Sequence, residues 1–339
     1  MRMKIGAIVM FVLALASGTG AAIAQGAAPQ PIAIPPWFAT TFLDFREDIA
    51  DAARENKRLL VYFGQDGCPY CAKLMGVNFS QRSIVETTRR HFVAIALDIW
   101  GDRDTTWVDG SVMPEKELAR KLGVQFTPTV LFFDEHARVV ARIDGYWPPR
   151  RFEAVLDYVA GRHEHEQSLA SWLQARVKDE ASPTLHDEPF FMSPPYDLAH
   201  RAGGKPLAVI FETVDCPACD ELHREGFRHP DVMAQVRRFD VARFPIFATT
   251  PLVTPAGQRT TAAAWARELG IVYAPSVVFF DAAGAEVFRI DAYLRPFHFS
   301  SSFAYVADRG YVSEPSFQRW LRARAERLRA EGKTVDLWN

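Results

Sequence analysis

The sequence predicts an α/β protein built from two tandem copies of one domain, each a mixed central sheet with helices on both faces. Three observations predict it. The 339-residue chain repeats itself at a steady offset of 147 or 148 positions: Cys68 and Cys71 map to Cys216 and Cys219, "GVQFTPTVLFFD" (123–134) to "GIVYAPSVVFFD" (270–281), "RIDGYWPPRRF" (142–152) to "RIDAYLRPFHF" (289–299), and Trp172 to Trp320. One offset kept over such a length marks duplicated domains, and the period is far too long for a solenoid. Fully apolar runs alternate with helical patterns, the signature of a sheet buried on both faces. The length suits two cores, and the 48% apolar and 24% charged content is that of an ordinary globular protein.

The elements follow in order. A helix is expected over 41–56, with a weaker counterpart in the second copy. The run at 58–63 is a buried strand, and the Cys-x-x-Cys pair after it opens a helix, with more helix over 80–90. "VAIAL" (93–97) is a second buried strand, of the parallel-sheet kind. A loop leads to a helix at 115–122. After Pro128, "TVLFF" and "RVVARI" are strands joined by "DEHA", a hairpin-like connection. A helix over 150–160 closes the copy. Trp172 and Trp320, at matching places in terminal helices, are expected as core anchors.

Outside the copies, Arg2 and Lys4 precede the apolar stretch Ile5–Ala16, and Ala22-Ile23-Ala24 offers a small-x-small cleavage site. Residues 1–24 therefore read as a secretory signal peptide, too short in its apolar part for a comfortable membrane span. In a Gram-negative cell the destination is the periplasm, an oxidising compartment. Residues 25–36 read as an Ala/Pro-rich spacer, 37–177 as the first domain, 178–195 as a charged Pro-rich linker, and 196–330 as the second domain. A net charge of −2 gives no general attraction to nucleic acid or acidic lipid. The Arg-rich stretch 319–329 is expected as a solvated helix face, and His163–His165 as a solvated helix-start segment in preference to a metal site.

All four cysteines of the chain lie in "CPYC" (68–71) and "CPAC" (216–219), each directly after an apolar strand. A helix N-terminus offers free N–H groups and the positive end of its dipole, which favour a thiolate over a thiol. That thiolate is the nucleophile of disulfide exchange. Cys71 and Cys219, one turn further on, are placed to attack the mixed disulfide formed at Cys68 or Cys216. Pro69 and Pro217 suit a first helical turn, where no N–H is needed. Purely structural disulfides are a poor alternative, since a two-residue loop removes little unfolded-state entropy. A shared Cys₄ zinc site would need the two centres face to face. Cys216, Cys219 and His223 are a conceivable copper(I) set, although redox chemistry is the preferred reading; no cofactor is implied. Lys73 beyond Cys71 supports a thiolate, whereas Asp220 and Glu221 beyond Cys219 oppose one, so Cys68 is expected to have the lower pKa and to meet substrates first.

Strand, CxxC, helix, and then Thr127-Pro128 before another strand resemble the thioredoxin superfamily. The resemblance implies that Cys68 and Cys216 attack and that Cys71 and Cys219 resolve. It also implies that Pro128 and Pro275 follow cis peptide bonds, and that Thr127 and Ala274 before them dock substrate backbone. More narrowly, "FLDFREDIADAARENKRLLVYFGQDGCPYCAKL" and "LDIWGD" are similar to SoxW-like periplasmic thioredoxins of sulfur oxidation and to DsbC-type reductases and isomerases. The activity so implied is dithiol–disulfide exchange with protein substrates, the chain being kept reduced by a membrane electron donor of the DsbD or CcdA type. There are departures: Tyr62 and Ile210 stand where cytosolic thioredoxins carry a buried acid, and neither dipeptide is Gly-Pro. Isomerisation, or a copper carrier or binding module on the same scaffold, are the alternatives.

Overall fold

The computed structural model describes residues 30–177, 181–199 and 204–335. The signal-like stretch 1–24 lies outside them, as do residues 25–29 of the spacer and 178–180 of the linker.

In the first copy the chain runs α1 (Phe45–Arg54), β1 (Arg58–Gly64), α2 (Pro69–Lys73), α3 (Arg82–His91), β2 (Phe92–Asp98), β3 (Asp104–Thr106), β4 (Val112–Pro114), α4 (Glu115–Lys121), β5 (Thr129–Phe133), β6 (Val139–Asp144), α5 (Pro149–Ala160) and α6 (Leu169–Arg176). The second runs β7 (Tyr196–Asp197), β8 (Leu207–Glu212), α7 (Pro217–Arg224), α8 (Pro230–Val236), β9 (Asp240–Pro245), β10 (Pro251–Val253), β11 (Arg259–Thr261), α9 (Ala262–Glu268), β12 (Ser276–Phe280), β13 (Glu286–Ile290), α10 (Pro296–Ala307), α11 (Gly310–Ser313) and α12 (Phe317–Ala330).

Each copy has a four-stranded sheet in one order, β2-β1-β5-β6 and β9-β8-β12-β13. β1 pairs parallel with β2 and antiparallel with β5, with Tyr62 opposite Ala96 on one side and Val130 on the other. β8 does the same with β9 and β12. Every residue of β1 and β8 is buried, as a central strand covered on both faces requires. Two apolar clusters per copy fill the space between sheet and helices.

Four local features depart from the sequence-based expectation. The first helix begins at Phe45 rather than Thr41, because Leu43 takes a left-handed φ of 59° and the Asp44 carboxylate caps the Arg46 N–H. Before β8 no such helix occurs among the described residues. The loop after β2 contains the small β3–β4 hairpin, held against the sheet by Trp107 on Phe45 and Phe133. And residues 181–195 are no loose tether: Phe190 and Phe191 pack on Phe227, and the Glu188 carboxylate is buried.

The copies interlock. Phe126, just before the first Thr-Pro, sits in the second copy's core against Phe288 and Phe317, at ring-centroid distances of 5.7 and 5.5 Å. Tyr273, its counterpart, sits in the first copy's core, stacked on Trp147 at 4.9 Å. Gly145, with φ of 73°, lies at a tight contact between the copies: a Cβ there would lie 2.8 Å from the Cβ of Ala292. Only glycine meets both demands.

Candidate active site

Cys68 is the N-cap of α2 and Cys216 the N-cap of α7, each followed by proline at the first helical position. Within each copy the two cysteines form a disulfide, with Cα atoms 5.2 Å apart. The Cys71 N–H donates to Cys68 Sγ at 3.1 Å, and the Cys219 N–H to Cys216 Sγ at 3.1 Å. A backbone donor aimed at the sulfur stabilises negative charge there. α2 is short and runs into a π-helical turn, Leu74–Asn78.

The proline loops close on these sulfurs. The Thr127–Pro128 and Ala274–Pro275 bonds are both cis, as is Pro194–Pro195, which sequence reading did not single out. Cys68 Sγ lies 3.4 Å from the Thr127 carbonyl oxygen, and Cys216 Sγ 3.5 Å from that of Ala274. Thus all eight residues singled out from the sequence gather into two centres of four.

Upstream chain completes each centre. The residue just before the first cysteine has a left-handed backbone in both copies, Gly67 at φ 70° and Asp215 at φ 53°. The Gly67 N–H donates to the Gln30 carbonyl at 2.8 Å, and the Asp215 N–H to the Ser182 carbonyl at 2.9 Å. These straps come from the stretches read as spacer and linker. Because they act through backbone carbonyls, no residue pattern announces them.

His223 is not placed as a metal ligand. One ring nitrogen lies 3.0 Å from Glu188 Oε1 and the other 2.9 Å from Glu212 Oε1, so both are occupied. Burial alone would lower its pKa, but the bonds and charges of Glu212 and Glu188 outweigh that and raise it. Arg228 binds both oxygens of Glu188. The result is a buried charged cluster one helical turn beyond Cys219. The first copy has Gly64 and Met75 at the matching positions. Among the described residues no three His, Cys, Asp or Glu side chains converge as a metal site.

A cavity of about 380 Å³ lies over Cys68, and half of its wall is the other copy. Tyr70, Thr127 and Gln65 supply one side; His298 and Tyr293, with Gln318 and Arg322 of α12, supply the other. Gln65 Nε2 donates to Thr127 Oγ1 and Gln318 Oε1, while its Oε1 accepts from Trp100 Nε1. Gln318 Nε2 donates in turn to the Gln125 carbonyl. His298 packs edge-on to Tyr70, and burial lowers its pKa to about 4. Burial also pushes the Tyr70 and Tyr293 hydroxyls up, so these three side chains are uncharged at neutral pH. Arg322 and the helix that bears it are therefore more than a solvated face. The terminal tryptophans do anchor cores: Trp172 Nε1 donates to the Ala154 carbonyl, and Trp320 packs on Tyr305. His163 stacks on Trp172 within a short 3₁₀ turn.

Among the described residues no helix is long and apolar enough to cross a membrane. No curated protein matches the chain. Among solved structures it is similar to a thioredoxin-fold protein from Helicobacter pylori, with 21% identity over 40% of this chain and 96% of that one, at a TM-score of 0.32. It is similar also to a putative disulphide-isomerase from Bacteroides thetaiotaomicron, with 27% identity over 40% and 99%, at a TM-score of 0.30. The first two thioredoxin domains of Saccharomyces cerevisiae Eps1p match at 13% identity over 73% and 88%, with a TM-score of 0.26. The family described as thioredoxin-like domain matches residues 45–160 and again residues 199–307, one match for each half of the duplication. The chain therefore belongs to the thioredoxin-like domain family, in which it counts twice.

Proposed function

We propose that this protein is an exported thiol:disulfide oxidoreductase that reduces disulfides of periplasmic partner proteins. The observation that carries this reading is the backbone donor on each attacking sulfur: the Cys71 N–H on Cys68 and the Cys219 N–H on Cys216, both at 3.1 Å. In the reduced protein the Cys68 thiolate attacks a substrate disulfide, one substrate sulfur leaves as thiolate, and a mixed disulfide forms. Cys71, deprotonated, then attacks Cys68 Sγ, closing the intramolecular disulfide and releasing the second substrate thiol. Two electrons pass to the substrate, and a membrane donor of the DsbD or CcdA type returns them. Sulfur-oxidation proteins are the partners that the SoxW-like resemblance favours, with export resting on the signal-like residues 1–24.

The test is reduction of insulin by the full chain with dithiothreitol as electron source. Accelerated precipitation of the insulin B chain is expected. It should vanish in the Cys68→Ser/Cys216→Ser double variant, and Cys71→Ser should accumulate covalent complexes with partner proteins. A chain no faster than dithiothreitol alone overturns the reading. Isomerisation is the second reading; unscrambling of mispaired ribonuclease faster than net reduction would select it.

A further inference from the structure

The two centres have matching roofs of different chemistry. Each is covered by the terminal helical segment of the other copy. His298, Gln318, Leu321, Arg322 and Ala325 beside centre one correspond, at the repeat offset, to Arg151, Ala170, Leu173, Gln174 and Val177 beside centre two. Over Cys68 the roof is basic. Arg322 and Arg329 are exposed at the rim, and neither has a carboxylate partner among the described residues; Arg322 lies over the Trp100 ring at 5.0 Å. The one carboxylate on that wall, Asp66, accepts from the Ile32 N–H at 3.1 Å and is outnumbered by the two arginines. Over centre two, Gln174 and Val177 stand where Arg322 and Ala325 stand, Arg151 replaces His298 with Asp215 on the same wall, and the rest adds the apolar Val214, Phe247 and Val272. One arginine and one carboxylate thus share that wall where centre one has two arginines at its rim.

Access to Cys68 is narrow. The residue is only 5% exposed, and the Gln125 carbonyl beside the proline loop is taken by Gln318. A volume of about 380 Å³ lies at the small end of the roughly 300–1,000 Å³ of ordinary ligand pockets. It suits one half of a small peptide disulfide better than a folded protein surface.

We infer that Cys68 is a centre for small, carboxylate-bearing peptide disulfides, drawn in by Arg322 and Arg329. This rests on the exchange activity proposed above and names a substrate class for one of its two centres. The chemistry balances as before: the Cys68 thiolate bonds one sulfur of the anionic disulfide and expels the other as thiolate. Cys71 then displaces the bound half, so that one disulfide becomes two thiols and the protein is left oxidised.

The test uses the full chain, fully reduced, mixed separately with glutathione disulfide (anionic), hydroxyethyl disulfide (neutral) and cystamine (cationic). Reactions are quenched with a maleimide, and each cysteine pair is read by peptide mass. Each rate is divided by that of the same disulfide with dithiothreitol, which removes intrinsic reactivity. At low ionic strength the Cys68–Cys71 pair should prefer glutathione disulfide over cystamine by about tenfold or more, the scale on which a charged cleft raises encounter rates. The preference should shrink at molar salt. In Arg322→Gln/Arg329→Gln the ratio of the glutathione disulfide rate to the cystamine rate should fall to about one, whatever happens to the hydroxyethyl disulfide rate. The Cys216–Cys219 pair, with Arg151 set against Asp215 on its wall, should show a clearly smaller preference. Equal normalised rates at Cys68, or a preference that survives the double substitution, overturns the inference while leaving the exchange activity standing. If none of the three oxidises Cys68, the inference falls, and insulin reduction by the same sample decides the exchange activity separately.

Discussion

Phe126 and Tyr273, matching positions in the two copies, have exchanged places: each ring lies in the core of the other domain. A buried aromatic side chain truncated to alanine costs roughly 3–5 kcal/mol in its own core. Here the cost falls on the neighbour. Phe126→Ala should loosen the second domain around Phe288 and Phe317, and Tyr273→Ala should loosen the first around Trp147. Hydrogen exchange resolved by domain, during denaturant unfolding, checks this. Destabilisation confined to the substituted residue's own domain would contradict it.

The two N-cap sulfurs, Cys68 and Cys216, should differ in acidity. Beyond Cys71, Lys73 lies 4.4 Å from the Tyr146 ring and adds positive charge near the centre. Beyond Cys219, burial works against the Asp220 carboxylate, but the bonds from His186 and the Ser182 N–H outweigh it and lower its pKa. That anion persists at neutral pH and opposes a thiolate at Cys216. Alkylation followed by peptide mass across pH should give Cys68 the lower pKa, and Asp220→Asn should lower that of Cys216. The reverse order would rule out the electrostatic account.

His223 should make the second domain pH-dependent. Its folded pKa is raised, so the stabilisation is complete below the unfolded value of about 6.5 and is lost as pH rises through the folded pKa. Removing the partner, as in Glu212→Gln, leaves a buried charge short of compensation and should cost on the order of 3–5 kcal/mol. Thermal unfolding followed from pH 6 to 9 reads both effects. A transition independent of pH in the native chain, unchanged by Glu212→Gln, would refute them.

His298 should act in the opposite sense. Burial holds its folded pKa at about 4, below the unfolded value, so the unfolded chain binds the proton first. Stability should therefore be complete above about pH 6.5 and decline as pH falls toward 4, by on the order of 1–3 kcal/mol. His298→Phe should flatten the acid limb of the stability curve. If that limb keeps its slope, some other group is responsible.

Much of this architecture was legible because the repeat and the strands share one cause. Runs such as Leu59–Phe63 and Leu207–Phe211 are apolar throughout because both faces of their sheets are covered, and they announce themselves twice. The candidate site was legible for a similar reason: Cys68, Cys71 and Pro128 occur as one set, and the set recurs. What escaped was carried by the other copy or by backbone. Phe126 and Tyr273 look like ordinary apolar residues leading into a strand, and nothing local says whose core they enter. Arg322 sits in a helix whose charges suit a solvated face, and only the neighbouring domain's Trp100 shows that it borders the cavity over Cys68. Glu188 lies in a Pro-rich charged stretch, where a buried carboxylate is the last thing composition suggests.

The straps at Gln30 and Ser182 have a practical corollary for anyone dissecting the protein. A fragment trimmed to the limits of the family match, beginning at residue 45 or 199, leaves behind the carbonyl that receives the N–H just ahead of each reactive sulfur. Such a piece could keep its whole sheet and still handle thiols poorly. Sluggish chemistry in a trimmed half would then measure where the scissors fell, not what the whole protein can do.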